Sequence, residues 1–251
     1  MNIENLNSDL INIPEVKTAG KVNFNATTGS DFPLNEAFKT LRSNLLFCGA
    51  DKKVILITST KENEGKSTVA TELSKSLSEI DKKTLLIDAD MRKSVILRRN
   101  LKTQSILGLS ELLSGQATIG QVLYNTQIPN FDVIFSGHFP PNPVELVSSK
   151  TFKEILEKFR DIYDYIIIDS PPLSPVIDAA VISTNCDGAI IVVAANKIKH
   201  QDALSVKEQL TKSGCEIIGV VLNETDSNHG VNNKYQKERY YFNETNKKRK
   251  R

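Results

Sequence analysis

No tryptophan occurs in the 251 residues, and aromatic side chains make up only 6% of them. That leaves little material for a recognition surface of stacked rings. Cysteine is almost as scarce. Cys48, Cys186 and Cys215 stand far apart and are odd in number, with no CxxC pair and no Cys/His run at metal-ligand spacing. They build neither a disulfide framework nor a zinc module, and they read as buried thiols of a reducing compartment. No apolar run approaches the ~20 residues of a membrane-spanning helix. The first residues, MNIENLNSDL, lack the basic start and apolar core of a signal peptide. These absences predict a soluble, cytosolic protein. Hydrophobic residues at 39% suffice for a substantial interior, and the length predicts one large domain with tails.

Charge is present but segregated. The net charge is +2, yet residues 231–251 hold eight Lys/Arg against two Asp/Glu, a net +6, so the other 230 residues carry −4. The basic character belongs to the tail. Residues 1–33 are polar and Asn-rich and predict a flexible N-terminal arm. Residues 34–226 predict a folded domain, and 227–251 a disordered, basic, Tyr-containing tail.

Within the domain, Leu34, Phe38, Leu41 and Leu45 recur at helical spacing, which predicts a helix over 34–47. Five apolar runs follow: VILIT (54–58), TLLID (84–88), YIIID (165–169), AIIVVA (189–194) and IIGVVLN (217–223). FDVIF (131–135) is a weaker sixth. None alternates, so both faces are covered, as in a parallel sheet flanked by helices. Helix-like stretches at 66–80, 144–160 and 200–213 lie between them. The alternation predicts an α/β fold with a doubly wound, mostly parallel sheet.

The first strand ends in a polar loop and then Glu64-Gly65-Lys66-Ser67-Thr68 at a helix start. This is the second half of a P-loop. Its backbone N–H groups and the helix N-terminus bind phosphate, Lys66 reaches the β/γ-phosphates, and the Ser67 hydroxyl ligates Mg²⁺. The strict motif is broken, because Thr60 stands where its first Gly belongs. A chance Gly-Lys-Ser at a helix start would look the same. Context separates the two. LLIDADMRKS (85–94) ends a second strand in Asp88 and Asp90, and YIIIDSPPL (165–173) ends a third in Asp169. Parallel strands end on one edge, so these acids converge on the phosphate loop there. A hydroxyl and several carboxylates beside a phosphate cradle make a Mg²⁺–nucleotide site of the P-loop NTPase kind.

These motifs resemble those of the bacterial tyrosine kinases of capsular and exopolysaccharide biosynthesis. EGKST (64–68) resembles their Walker A motif, LLIDADMRKS their second acidic motif, and IIIDSPP (166–172) their Walker B. FSGHFPPNPVELVSS (135–149) and GVVLN (219–223) resemble further family segments. The resemblance, which runs from about Asn35 to Asp226, implies an ATP- and Mg²⁺-dependent protein-tyrosine kinase. Its catalytic residues would be Lys66, Asp88, Asp90 and Asp169, with Asp88 as the base candidate. Glu64, Gly65, Lys66, Ser67, Thr68 and Asn223 would bind nucleotide, and Asn223 fits a turn residue equally well. Ser67, Asp88 and Asp169 would hold the metal. On the 34–47 helix, Glu36, Lys39 and Arg42 resemble the family's ring-forming pattern, with Lys39 where Arg is usual. A solvated helix face with i,i+3 pairs fits them as well. The family's Pro-Gly before the Glu is replaced here by Glu62-Asn63.

The resemblance also implies autophosphorylation in trans on tail tyrosines, here Tyr235, Tyr240 and Tyr241. Implied partners are a membrane-anchored activator or adaptor, a cognate tyrosine phosphatase and further copies of the chain in a ring. No nucleic-acid motif accompanies the basic tail. The protein would be cytoplasmic and recruited to the inner face of the membrane. Phosphorylation of a tail carrying +6 would discharge it, an electrostatic switch. Tyr163 and Tyr165 beside a strand, and Tyr124 between helices, are expected to be packed or partly buried. The rival reading is a partition-type ATPase switch, as in ParA or MinD. Lys61 stands at the signature-lysine position of those proteins.

Overall fold

The computed structural model describes residues 18–24, 32–100, 106–174 and 176–225. The tail tyrosines Tyr235, Tyr240 and Tyr241 lie outside the described residues.

The strands appear where unbroken apolar runs predict them. They are β2 (Val54–Ser59), β3 (Thr84–Asp88), β5 (Phe131–Ile134), β6 (Tyr165–Asp169), β7 (Gly188–Ala194) and β8 (Ile217–Asn223), with two short ones, β1 (Gly20–Val22) and β4 (Leu123–Thr126). Every residue of β2, β3 and β6 is buried, because helices cover both faces of the sheet. Among the described residues the sheet runs β1-β4-β5-β3-β6-β2-β7-β8. All neighbours pair in parallel except β4 with β5.

One face carries α1 (Phe32–Phe47) and α2 (Lys66–Ser78). There Leu45 of α1 and Val69, Leu73 and Leu77 of α2 pack on Ile55, Ile57 and Ile167. The other face packs α7 (Lys150–Ile162), α8 (Asp178–Ser183) and α9 (His200–Lys212) on Val54, Leu56, Ile166 and Ile168. Short helices α3 (Val95–Asn100), α4 (Leu109–Leu113), α5 (Ile119–Val122) and α6 (Pro143–Val147) complete the connections. Among the described residues no helix is long and apolar enough to cross a membrane.

Three expectations are corrected. The stretch 144–160 is not one helix. It breaks at Ser148-Ser149, where extended Ser149 caps α7 by accepting a hydrogen bond from the Phe152 N–H at 3.2 Å. A serine N-cap competes with helix continuation. Tyr124 lies in β4 rather than between helices, and its hydroxyl donates to the Leu107 carbonyl at 3.2 Å. Tyr163 and Tyr165 are buried as expected.

The third correction concerns residues 20–24, assigned by sequence to the arm, which join the sheet. β1 pairs with β4, and the Phe24 backbone is clamped by Gln127, whose Oε1 accepts from N–H at 2.6 Å and whose Nε2 donates to C=O at 2.7 Å. The Phe24 ring is 2% exposed and packs edge-on to Phe131 at 5.3 Å between centroids, with the Lys75 ammonium 5.8 Å from its own centroid. One aromatic anchor outweighs the polarity of the surrounding segment. Phe24→Ala is expected to lower the unfolding free energy by ~3 kcal/mol. A denaturant titration checks this, and an unchanged midpoint would place the strand outside the cooperative unit.

Candidate active site

The C-terminal ends of β2, β3, β6, β7 and β8 share one edge because these strands are parallel. The β3–β6 register sets Asp88 directly opposite Asp169. β2, on the other side of β6, leads into the phosphate loop.

That loop turns through two left-handed residues, Asn63 (φ 62°) and Gly65 (φ 92°), before α2 begins at Lys66. Asn63 stands where the resemblance calls for Gly, and Asn is among the residues that best tolerate this conformation. The departure is therefore conservative for the backbone. Thr60 needs no glycine's freedom, since it is absent from the positive-φ residues. Gly65 admits no side chain: a Cβ there would lie 2.1 Å from Asn223 Nδ2.

The Glu64 side chain turns back into its own chain. Its carboxylate accepts from the Lys61 N–H at 2.7 Å and the Ala194 N–H at 3.4 Å, tying the loop to the end of β7. Asn223 donates from Nδ2 to the Glu64 carbonyl at 2.9 Å and lines the cleft. Both predicted nucleotide residues thus brace the loop within the chain.

Lys66 is buried with its ammonium 2.9 Å from Asp90 Oδ2, 3.3 Å from Ser67 Oγ and 3.7 Å from Asp169 Oδ1. Burial works against its charge, but the carboxylates of Asp169 and Asp90 outweigh it and hold the pKa above the ordinary lysine value. Asp88 is also buried. It accepts the Asp90 N–H at 3.2 Å and a short hydrogen bond from the Ser94 hydroxyl. Burial, followed by repulsion from Asp169, pushes its pKa up to about 8, against the pull of Ser94. Asp169 is 0% exposed, and among the described residues neither carboxylate oxygen has a partner at hydrogen-bond distance, the Lys66 ammonium standing 3.7 Å from Oδ1. Burial raises its pKa in spite of Lys66. Two orphaned carboxylate oxygens beside a serine hydroxyl form a hard-oxygen donor set, and they fit a divalent cation such as Mg²⁺.

Of the predicted residues, Gly65, Lys66, Ser67, Thr68, Asp90 and Asn223 line a cleft of about 360 Å³ at the sheet edge, while Asp88 and Asp169 are buried next to Asp90 and Lys66. Reading the sequence missed several neighbours. Ser94 caps α3 by accepting the Leu97 N–H at 2.9 Å while donating to Asp88. Arg92 makes a bidentate pair with buried Asp178, Nε to Oδ2 at 2.7 Å and Nη2 to Oδ1 at 3.1 Å. Arg99 donates to Thr68 Oγ1 at 3.0 Å. Ser94 and Arg92 sit inside the acidic motif, where their proximity could have been read. Asp178 carries no local signal.

Elsewhere, Lys61 pairs with Asp202 of α9 at 2.6 Å. Glu36 and Lys39 pair with each other at 2.8 Å. Arg42 turns onto the end of α2, where it bonds the Ser76 carbonyl and stands 3.6 Å from Glu79. Its side chain is only 14% exposed. Within the chain, then, Glu36 and Lys39 satisfy each other and Arg42 faces inward.

A parallel sheet whose edge carries a glycine-lysine-serine loop and opposed aspartates defines a P-loop nucleotide-binding protein. The AAA domain family matches residues 52–218. The tyrosine-protein kinase CpsD of Streptococcus agalactiae is 42% identical over 191 residues, covering 76% of this chain and 83% of that protein. The tyrosine-protein kinase YwqD of Bacillus subtilis is 34% identical, covering 75% and 80%. The crystal structure of the chimerical protein CapA2B2 superposes with a TM-score of 0.76 at 30% identity, covering 90% of this chain and 100% of that one. The chain belongs to the bacterial tyrosine kinases, and its activity is that of a protein-tyrosine kinase.

Proposed function

We propose that this kinase uses ATP and Mg²⁺ to phosphorylate Tyr235, Tyr240 and Tyr241 in the tail of a second copy. The observation that carries this reading is the cluster of Lys66, Asp88, Asp90 and Asp169, of which Lys66 and Asp90 line the cleft and Asp88 and Asp169 are buried beside them.

Lys66 neutralises the β- and γ-phosphates. Two carboxylates hold its ammonium in place beforehand, so little reorganisation is needed when the nucleotide arrives. Ser67 and Asp169, with Asp88 alongside, would hold Mg²⁺, which supplies charge neutralisation on the phosphate oxygens. The tyrosine oxygen attacks the γ-phosphorus. A new P–O bond forms to the phenol, and the bond to the β–γ bridging oxygen breaks. In its ionised form Asp88 takes the phenolic proton, oriented by Ser94 and the Asp90 N–H. Positioning carries most of the rate, so a strong base is not required.

Glu224, one residue before the last described residue of the 176–225 segment, lines the cleft. This supports tail tyrosines as acceptors. The wider role rests on family resemblance. It comprises control of capsular or exopolysaccharide polymerisation and export, a membrane adaptor that activates the kinase at the inner membrane face, a cognate phosphatase, and a ring joined through the α1 face.

Mixing two full-length variants tests transfer between copies. The enzyme carries Tyr→Phe at 235, 240 and 241, and the acceptor carries Lys66→Met. Mass spectrometry is expected to find phosphate on the acceptor's tail tyrosines. An unlabelled acceptor, alongside a wild-type chain that labels itself, would mean transfer within one copy.

A further inference from the structure

At the mouth of the cleft, Lys93 and Glu62 form a short ion pair that links the loop after β3 to the phosphate loop. Both side chains are half exposed, 50% and 51%, so water screens the pair and it is readily exchanged. Its neighbour Arg92 is different, because buried Asp178 holds it in a bidentate clamp. The Lys93 N–H donates to Asp90 Oδ1 at 3.0 Å, and the other oxygen of Asp90 takes the Lys66 ammonium. Lys93 therefore sits two hydrogen bonds from the group that faces the transferred phosphoryl, where an acceptor must arrive. Pro171, Pro172 and Val176 give the same cleft an apolar wall suited to a phenol ring.

The acceptor candidates differ in one respect that a lysine can read. Glu238 stands three residues after Tyr235, and Glu244 three residues after Tyr241. Tyr240 has Asn243 at that position. The other tyrosines, Tyr124, Tyr163 and Tyr165, have Gln127, Ile166 and Ile168 there. Three extended residues span ~10 Å, enough to set a carboxylate at the mouth while the tyrosine enters the cleft.

We propose that Lys93 is a specificity-determining residue that pairs with a carboxylate three residues after the acceptor tyrosine. Glu62 occupies Lys93 in the resting enzyme and yields to that carboxylate. The substrate class is a peptide of the form Tyr-x-x-Glu, so Tyr235 and Tyr241 are preferred over Tyr240. The proposal rests on the tail-phosphorylating reading above and adds the order of sites to it.

The test uses the same full-length enzyme and acceptor, with initial rates read at each tyrosine by mass spectrometry. Ratios between sites in one reaction are insensitive to enzyme concentration and to ATP affinity. The unmodified tail is expected to label Tyr241 and Tyr235 about fivefold faster than Tyr240, the size of a modest ion-pair contribution. Glu244→Gln in the acceptor removes the advantage of Tyr241 alone, and Glu238→Gln that of Tyr235 alone. Lys93→Ala in the enzyme levels the sites. Lys93→Glu restores a preference for Tyr241 when the acceptor carries Glu244→Lys. Glu62→Gln increases the preference, and only when Lys93 is present. Site ratios that ignore Lys93→Ala, or ignore both Glu→Gln changes, overturn the proposal while leaving tail phosphorylation intact. A tail that no copy labels overturns both.

Discussion

Lys66→Met is expected to cut tail phosphorylation by at least ~10³-fold, the scale on which enzymes lose rate when a preorganised transition-state contact is deleted. The side chain is isosteric enough to fill its place between α2 and the sheet edge, so the loss is electrostatic. It has a second consequence. The ammonium is the counter-charge for Asp90 at 2.9 Å and Asp169 at 3.7 Å, with Asp88 close by. Removing one partner of a buried ionic group costs roughly 3–5 kcal/mol when the remaining charges stay ionised. Protonation of the carboxylates relieves that cost. The variant, free of nucleotide, is therefore expected to melt closer to wild type at acid pH than at alkaline pH. Thermal melts across pH, run beside the kinase assay, separate a missing charge from a misfolded chain. Wild-type rates in Lys66→Met would remove this lysine from the reaction.

Asp88→Asn is expected to lower the transfer rate by ~10²–10⁴-fold, the range for loss of a proton-accepting group, while making the nucleotide-free protein more stable at alkaline pH. The sign follows from the direction of the shift. Burial and Asp169 raise the Asp88 pKa from 3.8 to about 8. Between those values the folded protein holds a proton that the unfolded chain has lost. Stability conferred by this group therefore falls as pH rises from about 4 to about 8, and it stays low above that. Asparagine carries no charge and escapes the penalty. At pH 9 the variant should exceed wild type by on the order of 2 kcal/mol, about 4–8 °C in Tm for a chain of this size. At pH 5 the gap should nearly close. A variant that melts alongside wild type at pH 9 would show Asp88 to be no more costly there than a neutral amide. The stored cost is what an active site carries so that its carboxylates stand ready for cation and substrate.

The chain's own letters made the frame legible. Apolar runs without alternation located six strands to within a residue or so, since a strand covered on both faces has no polar side to show. Gly65-Lys66-Ser67, and acids at strand ends, located the nucleotide edge. The N-terminal strand was invisible for the opposite reason. Its stability comes from one ring, Phe24, buried against Phe131, and from Gln127, over 100 residues away. That the side chains of Glu64 and Asn223 brace the phosphate loop was not legible either, because their partners lie on distant elements or depend on the loop's closed turn.

Sequence alone determined which residue types stand at the ends of which strands, because local periodicity and turn chemistry are short-range. Tertiary structure decided what each one faces. It set Asp169 beside the Lys66 ammonium, gave Ser94 to Asp88, locked Arg92 on Asp178 and left Lys93 with the exposed Glu62. Those choices depend on register between strands distant along the chain and on desolvation, and neither quantity is defined until the sheet has closed around its core.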